Sequence, residues 1–173
     1  VSRSLVECGT AQMENDIACL SLGSIGSHGN DEEPAAESME VDGASPSSPT
    51  SSGAGFATGA AATMLAIGTW SDATVRMLAL PSMQVVAQTA LGVDVQSRDL
   101  LIVRMGVVDY LLVGLGDGTL LSYELATSST GDQDSLFGAA RRVALGSRPI
   151  SLSTFVSEGQ TRVFVSCDRP TVI

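Results

Sequence analysis

Three features of the sequence predict an all-β chain, built as about two and a half blades of a WD-like β-propeller with four-stranded antiparallel blades. Outside one polar segment, nearly every stretch is a short apolar run bounded by Gly, Pro, Asp or Ser, the pattern of strands and their turns. No stretch carries a sustained helical stripe. The runs also repeat. The stretches "IGTWSDATV" from Ile67, "VGLGDGTLL" from Val113 and "VSCDRPTVI" from Val165 each join an apolar strand to a second strand through a turn aspartate, with Thr after it. Those aspartates, Asp72, Asp117 and Asp168, are 45 and 51 residues apart. A period of this length with four short strands per unit is the sequence form of propeller blades.

Taken in order, the first blade is predicted to have strands near residues 17–22, 64–69, 73–80 and 84–90. The second has strands near 99–105, 108–115, 119–125 and 140–145, and a third blade begins at Pro149. The runs that open the blades start at Ile17, Leu100 and Ile150. The second interval is 50 residues, and the first is 47 once a 36-residue insertion is set aside. Two blades and part of a third leave sheet edges unpaired, so a piece of a longer protein is expected.

The insertion, residues 27–62, holds six acids and no bases among Ser, Gly, Ala, Pro and Thr. Such a segment buries too little apolar surface to offset its ordering entropy, and a disordered loop within the propeller domain 1–173 is expected. Ser45-Pro46 and Ser48-Pro49 within it are candidates for proline-directed phosphorylation.

The stretch Gly114-Leu115-Gly116-Asp117-Gly118 superficially matches a phosphate-cradling loop. A phosphate loop requires a following helix, and here "TLLSYEL" alternates Leu121, Tyr123 and Leu125 against Leu120, Ser122 and Glu124, as a strand does. Gly118 follows Gly116 by two residues, so G-x-G-x-x-G is not formed, and no Lys follows. Asp117-Gly118 between alternating runs is a hairpin signal, because both residues tolerate positive φ. Asp72, Asp117, Gly118 and Asp168 are therefore expected to be structural turn residues.

Composition narrows the function classes. The formal net charge is −10, from 19 acids against 9 bases, and every base is Arg. Without a basic cluster, nucleic-acid contact through this piece is not expected. The single histidine, His28, lies in the insertion, so a Ser-His-Asp or Cys-His catalytic arrangement is not expected within the piece. Cys8, Cys19 and Cys167 share no metal-ligand spacing, and no zinc site, cofactor site or secreted disulfide framework is indicated. No apolar run reaches the roughly 18 residues of a membrane helix.

The motifs "AQMENDIACLSLG", "AIGTWSDATVRMLALPSMQVV", "LVGLGDGTLLSYEL", "RRVALGSRPISLSTF" and above all "VFVSCDRPTVI" resemble the second propeller of the large subunit of the UV-damaged-DNA-binding complex, a family of triple-propeller adaptors of cullin-RING ubiquitin ligases. Its superfamily also contains subunits of the cleavage-and-polyadenylation and splicing machineries. The acidic insertion departs from the family pattern, which has a short connection there.

The resemblance implies a non-enzymatic scaffold in protein ubiquitination and the DNA-damage response, nuclear and also cytoplasmic. Its second propeller would hold the cullin N-terminal region while other propellers clasp substrate receptors. The alternative it implies is a nucleic-acid-binding scaffold of RNA processing. Trp70 and Arg98 fall at positions resembling the adaptor's cullin-facing residues. In a four-stranded blade the turn between strands two and three and the link into the next blade emerge on one ring face. Trp70 lies at the first and Arg98 at the second, and both are residue types favoured as interface anchors.

Overall fold

The computed structural model describes residues 7, 9–26, 63–126 and 136–173. The insertion 27–62, with His28 and both Ser-Pro sites, lies outside them, as does Cys8. The strands are β1 (Ile17–Gly23), β2 (Met64–Thr69), β3 (Thr74–Ala79), β4 (Gln84–Ala90), β5 (Ser97–Met105), β6 (Val108–Leu115), β7 (Thr119–Leu125), β8 (Arg141–Ala144), β9 (Ser151–Ser157), β10 (Gln160–Ser166) and β11 (Thr171–Val172). They form three antiparallel sheets ordered β1-β2-β3-β4, β5-β6-β7-β8 and β9-β10-β11. Each sheet is a meander of sequential neighbours, which is the blade predicted from the repeat. The four-stranded blades and the partial third make this a partial β-propeller.

The side-chain period of two sends alternate residues of one strand to different interfaces. In β6, Leu111, Val113 and Leu115 enter the core between the first and second blades with Ala66, Val75 and Met77. Leu112 points to the opposite side, where it joins Leu120, Ile150, Val163 and Val165 between the second and third. A blade covered on both faces has no polar side to spare, and this is why "YLLVGL" is a continuous apolar run. In β2, Ala66 faces the second blade while Leu65 and Ile67 face away with Leu78.

First strands of successive blades pack beside one another. Ser21 Oγ accepts a hydrogen bond from Ile102 N at 3.0 Å, and Cys19 Sγ lies 3.5 Å from Ser97 Oγ. Asp99 Oδ2 accepts from Leu152 N at 2.7 Å and from Ser151 Oγ at 3.1 Å.

The strand boundaries differ from expectation chiefly at β5, which starts at Ser97 rather than Asp99. A β-bulge explains the extension: Ser97 is opposite Leu115, Asp99 is opposite Gly114, and Arg98 between them has no partner. The same irregularity falls between Ile17 and Cys19 in β1. It is a repeated device at the start of a first strand.

Candidate functional site

Strand direction alternates within a blade, so the β2–β3, β6–β7 and β10–β11 turns share one end of the sheets with the β4–β5 and β8–β9 links. Backbone hydrogen bonds stitch these turns and links together. Leu91 N donates to Ala73 O at 2.9 Å, Gly116 N to Gln96 O at 3.1 Å, and Leu145 N to Gly118 O at 2.9 Å.

Trp70 begins the β2–β3 turn, and the residue is 40% exposed. Its backbone N donates to Asp16 O at 3.0 Å, which ties the turn to the residue before β1. Asp72 organises the rest of that turn. Thr69 Oγ1 donates to Asp72 Oδ1, Thr74 N reaches the same oxygen at 3.3 Å, and Arg76 and Asn15 donate to Oδ2 at 2.8 and 3.0 Å. Partial burial pushes the Asp72 carboxyl upward, but the hydrogen bonds from Thr69, Thr74 and Arg76, with the Arg76 charge, outweigh it and hold the group well below the usual carboxylate range.

Arg98 is the extra residue of the β5 bulge, and bulges re-aim a side chain out of the regular alternation. It is exposed at the turn end, with its guanidinium carbon 5.4 Å from the centroid of the Trp70 ring. This is cation–π geometry, worth about 0.5–1 kcal/mol at an exposed site. The stem of Arg98 runs past Gly116, where an added Cβ would stand 3.7 Å from Arg98 Cγ. The structure thus brings together the two residues that the sequence singles out as interface anchors.

The β6–β7 turn is closed by Asp117 Oδ1 accepting from Thr119 N at 2.9 Å. Of the two residues that tolerate positive φ, only Gly118 adopts it, with φ 83, and Asp117 is not among the positive-φ residues. Only the second position needs the left-handed region, because the Asp117 side chain replaces a backbone turn bond. At the same slot of the first blade stands Ala73, with φ 44.

Asp168 lies in the β10–β11 turn, but its carboxylate serves a different segment. It accepts from Ser147 N at 2.8 Å, Ser147 Oγ at 2.9 Å and Arg148 N at 3.2 Å, all in the β8–β9 link. The Ser147 donors lower its pKa. Sequence reasoning placed Asp168 in the turn without this cross-blade bond, and it passed over Asn15, Arg148 and Arg169 on the same end. The signal available for Asp168 was Pro170, which has no N–H to offer at the position where Thr74 and Thr119 donate. Among the described residues, no three of His, Cys, Asp and Glu are grouped so as to hold a metal ion.

Blades, register and interlocked turns define a β-propeller whose candidate site is a surface of turns. The chain belongs to the RSE1/DDB1/CPSF1 second β-propeller family, whose model matches residues 2–173. It is 36% identical over 169 residues to DNA damage-binding protein 1 of Oryza sativa subsp. japonica, covering 98% of this chain and 12% of that protein. It is 31% identical to DNA damage-binding protein 1 of Solanum lycopersicum over the same shares of each chain. With DNA damage-binding protein 1b of Arabidopsis thaliana it shares 39% identity over 110 residues, 64% of this chain and 10% of that protein. The chain therefore spans about an eighth of the length of the rice and tomato relatives. These relatives are named for binding damaged DNA, not for a reaction, which agrees with a propeller scaffold of this superfamily.

Proposed function

We propose that this chain is part of the second propeller of a cullin-RING ubiquitin ligase adaptor, a non-enzymatic scaffold that receives the cullin N-terminal region on its turn face. Other propellers of the full-length protein would hold substrate receptors, and the assembly would serve the DNA-damage response in the nucleus and cytoplasm. The observation that carries the reading is the exposed Trp70–Arg98 pair at the junction of the first two blades. An aromatic ring pre-stacked by a guanidinium is a preorganised anchor, since little side-chain entropy remains to be lost on docking. The names of the relatives favour this reading over the RNA-processing scaffolds of the same superfamily.

The test is capture of the cullin N-terminal region by the full-length protein and by its W70A/R98E variant. Loss of capture by a variant with an unchanged melting temperature is expected. Undiminished capture would overturn the proposal.

A further inference from the structure

Beyond the Trp70–Arg98 pair, the turn face continues toward the third blade, and its charges are unevenly engaged. The turn carboxylates already have donors: Asp72 is bonded to Arg76, Asp117 to Thr119 with Arg142 at 3.7 Å, and Asp168 to Ser147 and Arg148 N. The guanidiniums of Arg148 and Arg169, both exposed, have no carboxylate partner among the described residues. Asp168 brings these two residues together, since Arg169 follows it in sequence and Arg148 N donates to it. Gly118 O accepts from Leu145 N and from Gly146 N at 3.2 Å, which fixes this arginine pair to the turn beside Arg98. Of the other acids near this end, Glu14 and Asp16 precede β1 and Asp94 lies in the β4–β5 link, away in sequence from the β8–β9 link and the β10–β11 turn.

We infer that the docking surface extends from Trp70–Arg98 across the second blade to Arg148 and Arg169, and that the protein segment seated along it presents carboxylates to these two guanidiniums. The inference rests on the docking reading above and specifies the chemistry of the partner. Two arginines joined through Asp168, with no carboxylate partner among the described residues, supply electrostatic complementarity for a discretely acidic partner even in a chain of net charge −10. A nucleic-acid backbone fits this end less well, because its phosphates would track past the carboxylates of Asp117 and Asp168 in the neighbouring turns. Individual carboxylates of a protein segment can be placed at each arginine and avoid both.

The experiment measures binding of the cullin N-terminal region to the full-length protein, at low and high salt, for the parent, R148E/R169E, R148Q/R169Q and W70A/R98E. R148E/R169E is expected to weaken binding roughly tenfold at low salt and to flatten the salt dependence, with R148Q/R169Q intermediate and melting temperatures unchanged. Unchanged affinity and salt dependence in both arginine variants, with binding lost in W70A/R98E, would overturn the extension and leave the docking reading intact. Binding unchanged in all three variants would overturn both. A titration with single-stranded DNA is the second arm: DNA affinity that falls in R148E/R169E while cullin affinity holds would overturn the assignment to protein carboxylates.

Discussion

Asp72 and Asp168 occupy the same slot of the repeat, in the turn after the second strand of a blade, yet their carboxylates divide their bonds differently: Asp72 takes one donor, Asn15, from the segment that enters its blade, and Asp168 takes its donors there. Asp72 is held mainly within its own turn, by Thr69, Thr74 and Arg76. Asp168 turns outward to the link that enters its blade. One residue accounts for the difference. Two positions after the aspartate, Thr74 and Thr119 offer an N–H, whereas Pro170 has none, so the third carboxylate finds its donors across the junction. A repeat can thus keep its turn aspartate and change that residue's task, from closing a hairpin to locking two blades together.

The position after the aspartate gives the largest expected effect. Gly118 has φ 83, and a Cβ there would stand 2.7 Å from Ser147 N and against the Gly146 carbonyl. Neither backbone atom can move without breaking the bonds from Leu145 and Gly146 to Gly118 O. G118A should cost about 3 kcal/mol, the sum of a left-handed conformation and a backbone clash. The matching change in the first blade, A73G, removes a strained φ of 44 but gives the unfolded chain more freedom, so its net effect should stay within about 1 kcal/mol. Chemical denaturation of both variants checks this, and equal losses would show that the two turns are equivalent after all.

Next in size is D72N, which trades an ionised acceptor with four donors for an amide. A loss of about 2 kcal/mol is expected at neutral pH. Because the folded Asp72 carboxyl is held below its ordinary value, its contribution is complete above about pH 4 and is lost as pH falls through the folded value. The parent should therefore lose part of its stability on acidification below about pH 4, and D72N should lack that component. Melting temperatures of the two proteins from neutral to acid pH measure it. Parallel curves would mean that Asp72 is not held ionised by its turn.

Much of this architecture is legible in the sequence because it depends on local signals. Alternation and turn residues placed the strands, and the repeat assigned them to blades. The Trp70–Arg98 meeting was half legible: propeller topology puts both residues on one end, but the bulge that frees Arg98 from alternation depends on the pairing of β5 with β6. The cross-blade bonds were not legible. Asp168 reaches 21 residues upstream to the link that enters its blade and Asp99 reaches 53 downstream to Leu152 of the next blade, and nothing in a run of residues shows which carboxylate will find such a distant backbone N–H. Arg148 and Arg169 were passed over for the same reason. Each stands in a separate "RP" dipeptide, and only the Asp168 bonds make them neighbours.

The smallest expected effect separates the two aspartates most cleanly. Asp168 is exposed, so D168A should leave global stability little changed, unlike D72N. The change should be local: the Ser147 and Arg148 amides lose their acceptor, and their hydrogen exchange should accelerate while that of the β6 and β10 cores stays slow. Restoring a local donor sharpens the point. P170A supplies the N–H that Thr74 and Thr119 provide, and the Asp168 carboxylate would then be shared between its own turn and the link. P170A should therefore accelerate Ser147 and Arg148 exchange by a smaller factor than D168A. Exchange at those amides unaltered by either substitution would mean that the link is held by the packing of Ile150 in the core between blades and not by the aspartate.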